Sequence, residues 1–506
     1  MSVLLLVIVA IAGGVATSLI GIRRAAFAVG LATAVAAVVA AFSIGAEDTV
    51  PLAGSIIGGS DGLRTLAVAW AASSLVFGTI EGLLGRGPEV LGASLIGLGV
   101  GALSLSTPDT GVGFALLTGG AVVTTAVPVA RRRAESGQSG RADVSLLRPP
   151  LVAGLLGLLA VAWGASPIGP FAAADPLGAP EPGLEASTGA GLIAIALAVL
   201  VRLGAVPAHV WAARFAKAMP ASAIPPVLGW GAAAFGLLSL GWVDVTIGAA
   251  NADLTWPRLV VAFFGVASIV LGGMAAILHD DIEHVLAYAI VQDAGVALLA
   301  FASARPEAAA AGRDWLLAAV AVKAGLAAWV LVTRATFGGA HRLGALRGWA
   351  RRSPVLGGAF VLVMAGAIGL PGTAGFEARA TLIGLAVPGP LHLVIGLAAF
   401  APAVYLGRIL YTGLGAMAEE VRGATPDSGR LMGAPTLGWT GPSSALRSIP
   451  ATVRANRYRL AAAGAALAAV IGLGAMVGGL ASTTVAPVDA GAQSAGASTQ
   501  RSISRS

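Results

Sequence analysis

Runs of about 20 apolar residues, the length that crosses a bilayer core, dominate the hydrophobic and polar pattern of this 506-residue chain. They fall at approximately 3–21, 25–44, 64–84, 89–106, 111–130, 149–167, 189–217, 223–241, 257–278, 284–303, 314–334, 354–387, 391–411 and 460–481. The expected fold is all-α, a polytopic membrane protein of about 14 transmembrane helices. The first run has no basic segment before it and is expected to be a retained helix rather than a cleaved signal. The longest stretch without apolar character, 412–459, is expected to be a loop, and the Ala/Ser/Gly-rich segment 482–506 reads as a disordered tail.

The basic residues test this count independently. Of the 31 Lys and Arg, 22 lie in or beside loops that follow odd-numbered runs, and six lie on the opposite side. A miscounted run would invert every later loop and erase this asymmetry. The positive-inside rule then makes the odd loops cytoplasmic and puts both termini outside. Composition narrows the class further. Charged residues make up 11% of the chain, against roughly a quarter in soluble proteins. That is too few to wet the surface of a globule, so a soluble enzyme is excluded. The 71 glycines suit closely packed membrane helices. The absence of cysteine excludes disulfide scaffolds, thiolate metal sites and Cys-ligated iron–sulfur clusters. The net charge of +7 is accounted for by basic loops beside lipid, and no nucleic-acid partner is expected.

Two runs are too long for one straight span and carry breakers within them. Segment 189–217 contains Gly204 and Pro207, and segment 354–387 contains Gly369, Pro371, Gly372 and Gly375. Breaks of this kind free backbone groups at membrane depth, which protein or water must satisfy. They lie five runs apart, on segments of opposite direction, as an inverted-topology repeat requires. The expected organisation is residues 1–88 as three N-terminal helices, 89–241 and 257–411 as two inverted five-helix repeats, and 460–481 as the last helix. The alternative for the breaks is a pair of proline kinks.

Ionisable residues inside the runs are functional candidates by default. Arg202 precedes the first break and Arg379 follows the second; His209 lies just beyond the first, and Glu377 is two residues from Arg379. Asp293 and Lys323 fall midway along neighbouring runs. The chain has only two lysines against 29 arginines, so an intramembrane lysine points to a requirement for an amine. A desolvated amine can release its proton, whereas a guanidinium keeps it. Lys323 with Asp293 is thus either a proton relay or a packing pair. Glu81 and His392 stand near run ends, where contact with solvent is the expectation.

At this point the residues resemble a known family. Arg202-Leu-Gly-Ala-Val-Pro207-Ala-His209-Val-Trp211 is similar to the broken-helix signature of the antiporter-like subunits of respiratory complex I and of Mrp-type cation/proton antiporters. Asp281-Ile-Glu283-His284-Val-Leu-Ala287-Tyr288, followed by Gly295, resembles a second family motif, and Lys323 falls where that family has its helix-11 lysine. Leu343-Gly-Ala-Leu346, Pro354, Gly369-Leu-Pro371 and Gly375-Phe376 with Arg379 track a third stretch. The resemblance runs from Asp61-Gly-Leu to about Arg408 and implies fourteen helices.

The departures lie mainly in the first half. The family's helix-5 glutamate is missing, with Thr118 nearest to its place, and Arg202 replaces a lysine. The family's helix-8 Lys or His is absent, and Pro225 and Pro226 occupy that helix. Arg379 replaces the second broken-helix group, and Glu283 and His284 stand where basic residues are usual. The resemblance implies a proton-translocating membrane subunit of a complex-I-like NADH:quinone oxidoreductase, most like subunit N. Its partners would be other membrane subunits and the lipid bilayer, in the inner (plasma) membrane. The alternative is a non-pumping structural subunit of complex I, or a subunit of a membrane-bound hydrogenase or Mrp-type antiporter. No nucleotide loop or flavin motif is present, so no cofactor is expected and NADH and ubiquinone chemistry would belong to partners. No residue is assigned a catalytic or metal-binding role.

Overall fold

The computed structural model describes residues 2–52, 55–136, 145–165, 184–247, 253–415 and 451–478. Helix occupies every apolar run over its described residues. The first six are α1 (Ser2–Leu19), α2 (Arg23–Phe42), α3 (Asp61–Leu84), α4 (Glu89–Ser106), α5 (Thr110–Ser136) and α6 (Arg148–Ala165). The seventh run is split into α7 (Leu184–Leu203) and α8 (His209–Ala218). The eighth is a continuous helical span, Ala221–Ile247, in which α9 (Gly231–Trp242) is flanked by π-helical turns at Pro225–Trp230 and Val243–Ile247. Then come α10 (Thr255–Leu278), α11 (Ile282–Ser303) and α12 (Pro306–Thr336). A short α13 (Trp349–Arg352) leads into the second split run, α14 (Pro354–Ile368) and α15 (Ala374–Ala386). The last elements are α16 (Leu391–Ala398), α17 (Ala401–Leu414) and α18 (Ala451–Gly478).

Among the described residues, twelve helical segments are long and apolar enough to cross a membrane, with α16 and α17 together forming one of them. The two runs outside that set are those split at the predicted breakers. Gly204 (φ +72°), Gly369 (φ +67°) and Gly372 (φ +83°) take left-handed backbone angles that a side chain would strain. A two-stranded antiparallel hairpin, β1 (Thr49–Leu52) with β2 (Ser55–Gly58), covers the connection from α2 to α3. It went unread in the sequence because four-residue strands leave almost no alternation. The expected loop 412–459 is shorter than read: α17 extends to Leu414 and α18 starts at Ala451, while 416–450 and the tail 482–506 lie outside the described residues.

Burial orders the helices. Within their most apolar windows, α12 is 94% buried and α11 89%, against 33% for α1 and for the α16–α17 span. The helices that carry Lys323 and Asp293 are therefore the core of the bundle. Outer helices present apolar side chains outward, among them Leu19, Phe42, Phe263 and Leu397. In lipid, apolar burial drives little helix association, so close packing of small residues does that work. A Cβ on Gly295 would lie 2.6 Å from the carbonyl oxygen of Gly265, and one on Gly272 2.7 Å from the backbone nitrogen of Gln292. Thus α10 and α11 meet backbone to backbone. The last helix crosses the bundle, with Gly464 against Ile80 of α3, Ala469 beside Gly325 of α12 and Met476 against Gly375 of α15.

Candidate functional site

The central helices bring the Lys323 amine within 2.7 Å of Asp293 Oδ2, with the two side chains only 7% and 14% exposed. The indole of Trp315 donates to the backbone carbonyl of Asp293 at 3.0 Å and ties α12 to the same turn of α11. Beside the pair is a cavity lined by Ile224, Pro225, Leu228, Asp293, Trp315 and Lys323, among others. About 30 Å³ of it is open to the centre of a water-sized sphere, room for roughly two waters. Its walls are apolar apart from the ion pair, so the charges there are poorly screened.

The second break delivers Arg379 to the same region. Its guanidinium donates to the Ile368 carbonyl at 2.8 Å and to the Ala399 carbonyl at 3.4 Å. It lies 4.5 Å from the ring centre of Phe400 and 5.8 Å from that of Trp315. Ile368 is the last residue of α14, so Arg379 caps the carbonyl end that the break exposes. Thr373 caps the other side, its hydroxyl accepting from the Phe376 N–H at 3.4 Å. Glu377 does not join this site. It is exposed on the first turn of α15, and a two-residue separation puts it on the opposite side of the helix from buried Arg379.

At the first break the arginine reaches to a neighbouring element, while other side chains meet the freed backbone groups. Arg202 is 1% exposed and donates to the Val227 carbonyl at 2.9 Å. Ser268 of α10 accepts from the Val206 N–H at 3.0 Å, and the Trp211 indole donates to the Val201 carbonyl at 2.9 Å. No carboxylate lies within ion-pair distance of Arg202 among the described residues.

His209 opens α8, half-buried, with its ring centre 6.3 Å from that of Tyr288. Tyr288 lies 4.9 Å from His279, which stacks on His284 at 5.0 Å. His284 and His341 in turn approach Asp281 Oδ2 at 3.5 and 3.8 Å. Four of the five histidines thus gather in one chain of rings leading to the N-cap of α11. Sequence reading missed this cluster because its members come from three separate connections; the only signal was the pair His279 and His284. Burial pushes the Asp281 carboxyl up, but the hydrogen bond from His284 and the positive charges of His284 and His341 outweigh it and hold it below its usual value. The fifth histidine, His392, is exposed and bonds only its local turn at Gly389.

Two carboxylates are buried beyond what the sequence indicated. Glu283, which stands where the resembling family usually has a basic residue, is buried and ion-paired with buried Arg334 of α12. Glu81, expected near solvent, is 1% exposed, because α4 and the start of the eighth span cover the end of α3. Among the described residues no group of three or more His, Asp or Glu could hold a metal ion.

With this geometry in place, comparison with known proteins is informative. Residues 184–402 match the family described as NADH:quinone oxidoreductase/Mrp antiporter, TM. They include both broken segments, Asp293 and Lys323. Residues 184–402 are thus similar to that family's segment. The NADH-quinone oxidoreductase subunit N of Acidothermus cellulolyticus is 30% identical over 224 residues, which is 44% of this chain and 42% of that protein. The subunit N 1 of Streptomyces griseus is 33% identical over 227 residues, 43% of this chain and 45% of that protein. The chain thus spans about half the length of the curated relatives it matches. Two solved structures share the fold over nearly the whole length. A chain of respiratory complex I from Thermus thermophilus has a TM-score of 0.65 at 18% identity, covering 94% of this chain and 100% of its own. A chain of the Mrp complex from Dietzia has a TM-score of 0.62 at 18% identity, covering 94% and 93%. Among the described residues of 184–402, Lys323 is the lysine buried beside a carboxylate, whereas the buried Arg202 and Arg379 keep their charge at any ordinary pH.

Proposed function

We propose that the chain is a proton-translocating, antiporter-like membrane subunit of a complex-I-like NADH:quinone oxidoreductase, most like subunit N. It sits in the inner (plasma) membrane beside other membrane subunits, and the redox chemistry belongs to partner subunits. The observation that supports this most is the Lys323–Asp293 pair, buried at the centre of the bundle against a cavity sized for a few waters. The carboxylate at 2.7 Å neutralises the ammonium, and separating the two would leave a charge unpaired beside an apolar cavity. A partner subunit that displaced α11 against α12 would drive that step.

The test is proton pumping in vesicles by an assembled complex carrying Lys323→Arg, with quinone reduction followed in parallel. Arginine keeps the charge and the pairing but not the proton release, so pumping per electron should fall while assembly persists. Unchanged pumping would leave Lys323 as a packing cation and favour the rival reading, a subunit that fills space in the membrane arm and moves no protons. That rival draws on one observation, the first half's Arg202 with no carboxylate partner.

A further inference from the structure

We infer that Glu81 is a proton-exchanging carboxyl that serves the first half of the bundle in place of the helix-5 glutamate the chain lacks; this rests on the proton-translocating reading above. Its Oε1 accepts from the Ser222 hydroxyl at 2.6 Å, while Oε2 is buried with no hydrogen-bond partner. No cation stands within ion-pair distance of it among the described residues. The charged groups whose fields reach it are Arg86, Arg131 and Glu89, the last two paired with each other at 2.7 Å. A buried, unpaired carboxylate is too costly to persist unless something neutralises it. A proton is the smallest agent that does so.

The surroundings suit proton exchange. Glu81 opens onto a cavity lined also by Ser73, Ser74, Ser94, Ser222 and Pro226, with about 10 Å³ open to the centre of a water-sized sphere, the size of one water. The Ser74 and Ser94 hydroxyls lie 2.8 Å apart, and the Trp70 indole donates to Ser94 at 3.1 Å. Hydroxyls both donate and accept, so they can pass a proton without holding charge. Above the pocket is the arginine-bearing face, where Arg131 pairs with Glu89 at 2.7 Å and Arg23 donates to the Arg86 carbonyl.

The far wall of this pocket is the proline turn that opens the eighth span. Ser222 and Pro226 line the Glu81 cavity, while Ile224, Pro225, Leu228 and Gly229 line the cavity of Lys323 and Asp293. One turn of backbone thus separates the two pockets, and the prolines in it leave carbonyls without their usual helical donors. Glu81 takes a proton from the arginine-bearing face, and its release delivers one proton to the Ser222 side of that wall.

The experiment has two arms. In the first, the full chain in lipid nanodiscs is studied by infrared difference spectroscopy across a pH step, in water and in D₂O. Glu81→Gln should abolish one exchangeable carboxyl band, and Ser222→Ala should shift it; a spectrum unchanged by Glu81→Gln would overturn the inference. This arm needs no partner subunit, so it decides on Glu81 even where the assembly reading fails. In the second arm, the assembled complex is tested for pumping. Loss of pumping in both Glu81→Gln and Lys323→Arg, with quinone reduction retained, supports the relay. Loss in Lys323→Arg alone would overturn the role of Glu81 and leave the wider reading standing.

Discussion

Three cations, Arg202, Lys323 and Arg379, lie well inside the apolar runs, and the bundle neutralises them by different means. Lys323 has a carboxylate at 2.7 Å, Arg379 caps a backbone carbonyl freed at the second break, and Arg202 donates to the Val227 carbonyl of the neighbouring span. Truncating Lys323 to Ala strands Asp293 in the core and should cost about 3–5 kcal/mol, the usual penalty for breaking a buried pair; a large drop in thermal midpoint in detergent would show it. Arg202→Ala removes the guanidinium donor to the Val227 carbonyl and should cost about 1–3 kcal/mol, while Arg202→Lys keeps charge and a donor and should retain most function. Equal inactivity of the two would count against a fixed-charge role. Asp281 sets a pH dependence. Its carboxyl is held below its usual value, so its stabilising contribution is complete above about pH 4 and disappears as pH falls through the lowered value. The midpoint difference between wild type and Asp281→Asn, followed from pH 7 downward, should persist to about pH 4 and collapse below it. Lys323 and Asp293 were readable in the sequence because a charge in mid-run has nowhere to go but inward. Glu81 and Glu283 were not, since the end of a run meets water in an isolated helix but a neighbour in a bundle.

Elements were legible wherever one residue dictates backbone. Gly204 with Pro207, and Gly369 with Gly372, marked both interruptions, and the split helices fall there. The π-helical turn at Pro225–Trp230 was not legible, because two prolines announce missing donors without saying which carbonyls will close the turn. That turn is tightly built. A Cβ on Gly231 would lie 2.8 Å from the Pro226 carbonyl oxygen and 2.9 Å from an Arg202 guanidinium nitrogen. Gly231→Ala should therefore cost about 1–3 kcal/mol through overpacking and should disturb Arg202 more than Lys323. Thermal unfolding beside a pumping assay would separate those effects.

For the whole molecule, the apolar runs gave the number of crossings and the arginine distribution gave an orientation. The absence of cysteine makes that orientation directly measurable. Single cysteines placed near residue 2 and at Gly339 should react with an impermeant thiol reagent from opposite sides of the membrane, with the residue-2 site outside. Labelling of both from one side would refute the orientation. Superposition of 89–241 on 257–411 after inversion should overlay the two split helices, and failure to do so would remove the repeat. One consequence concerns mechanics. Because α10 and α11 touch through Gly265, Gly272 and Gly295, neither can bend without the other. Arg408 of α17 grips their shared end, donating to the carbonyls of Ile277 and His279 and to Asp280. On the function proposed above, the two helices would move as one lever pivoted at that grip, with Asp293 part-way along the arm, and a push at the free end would change the Lys323–Asp293 distance.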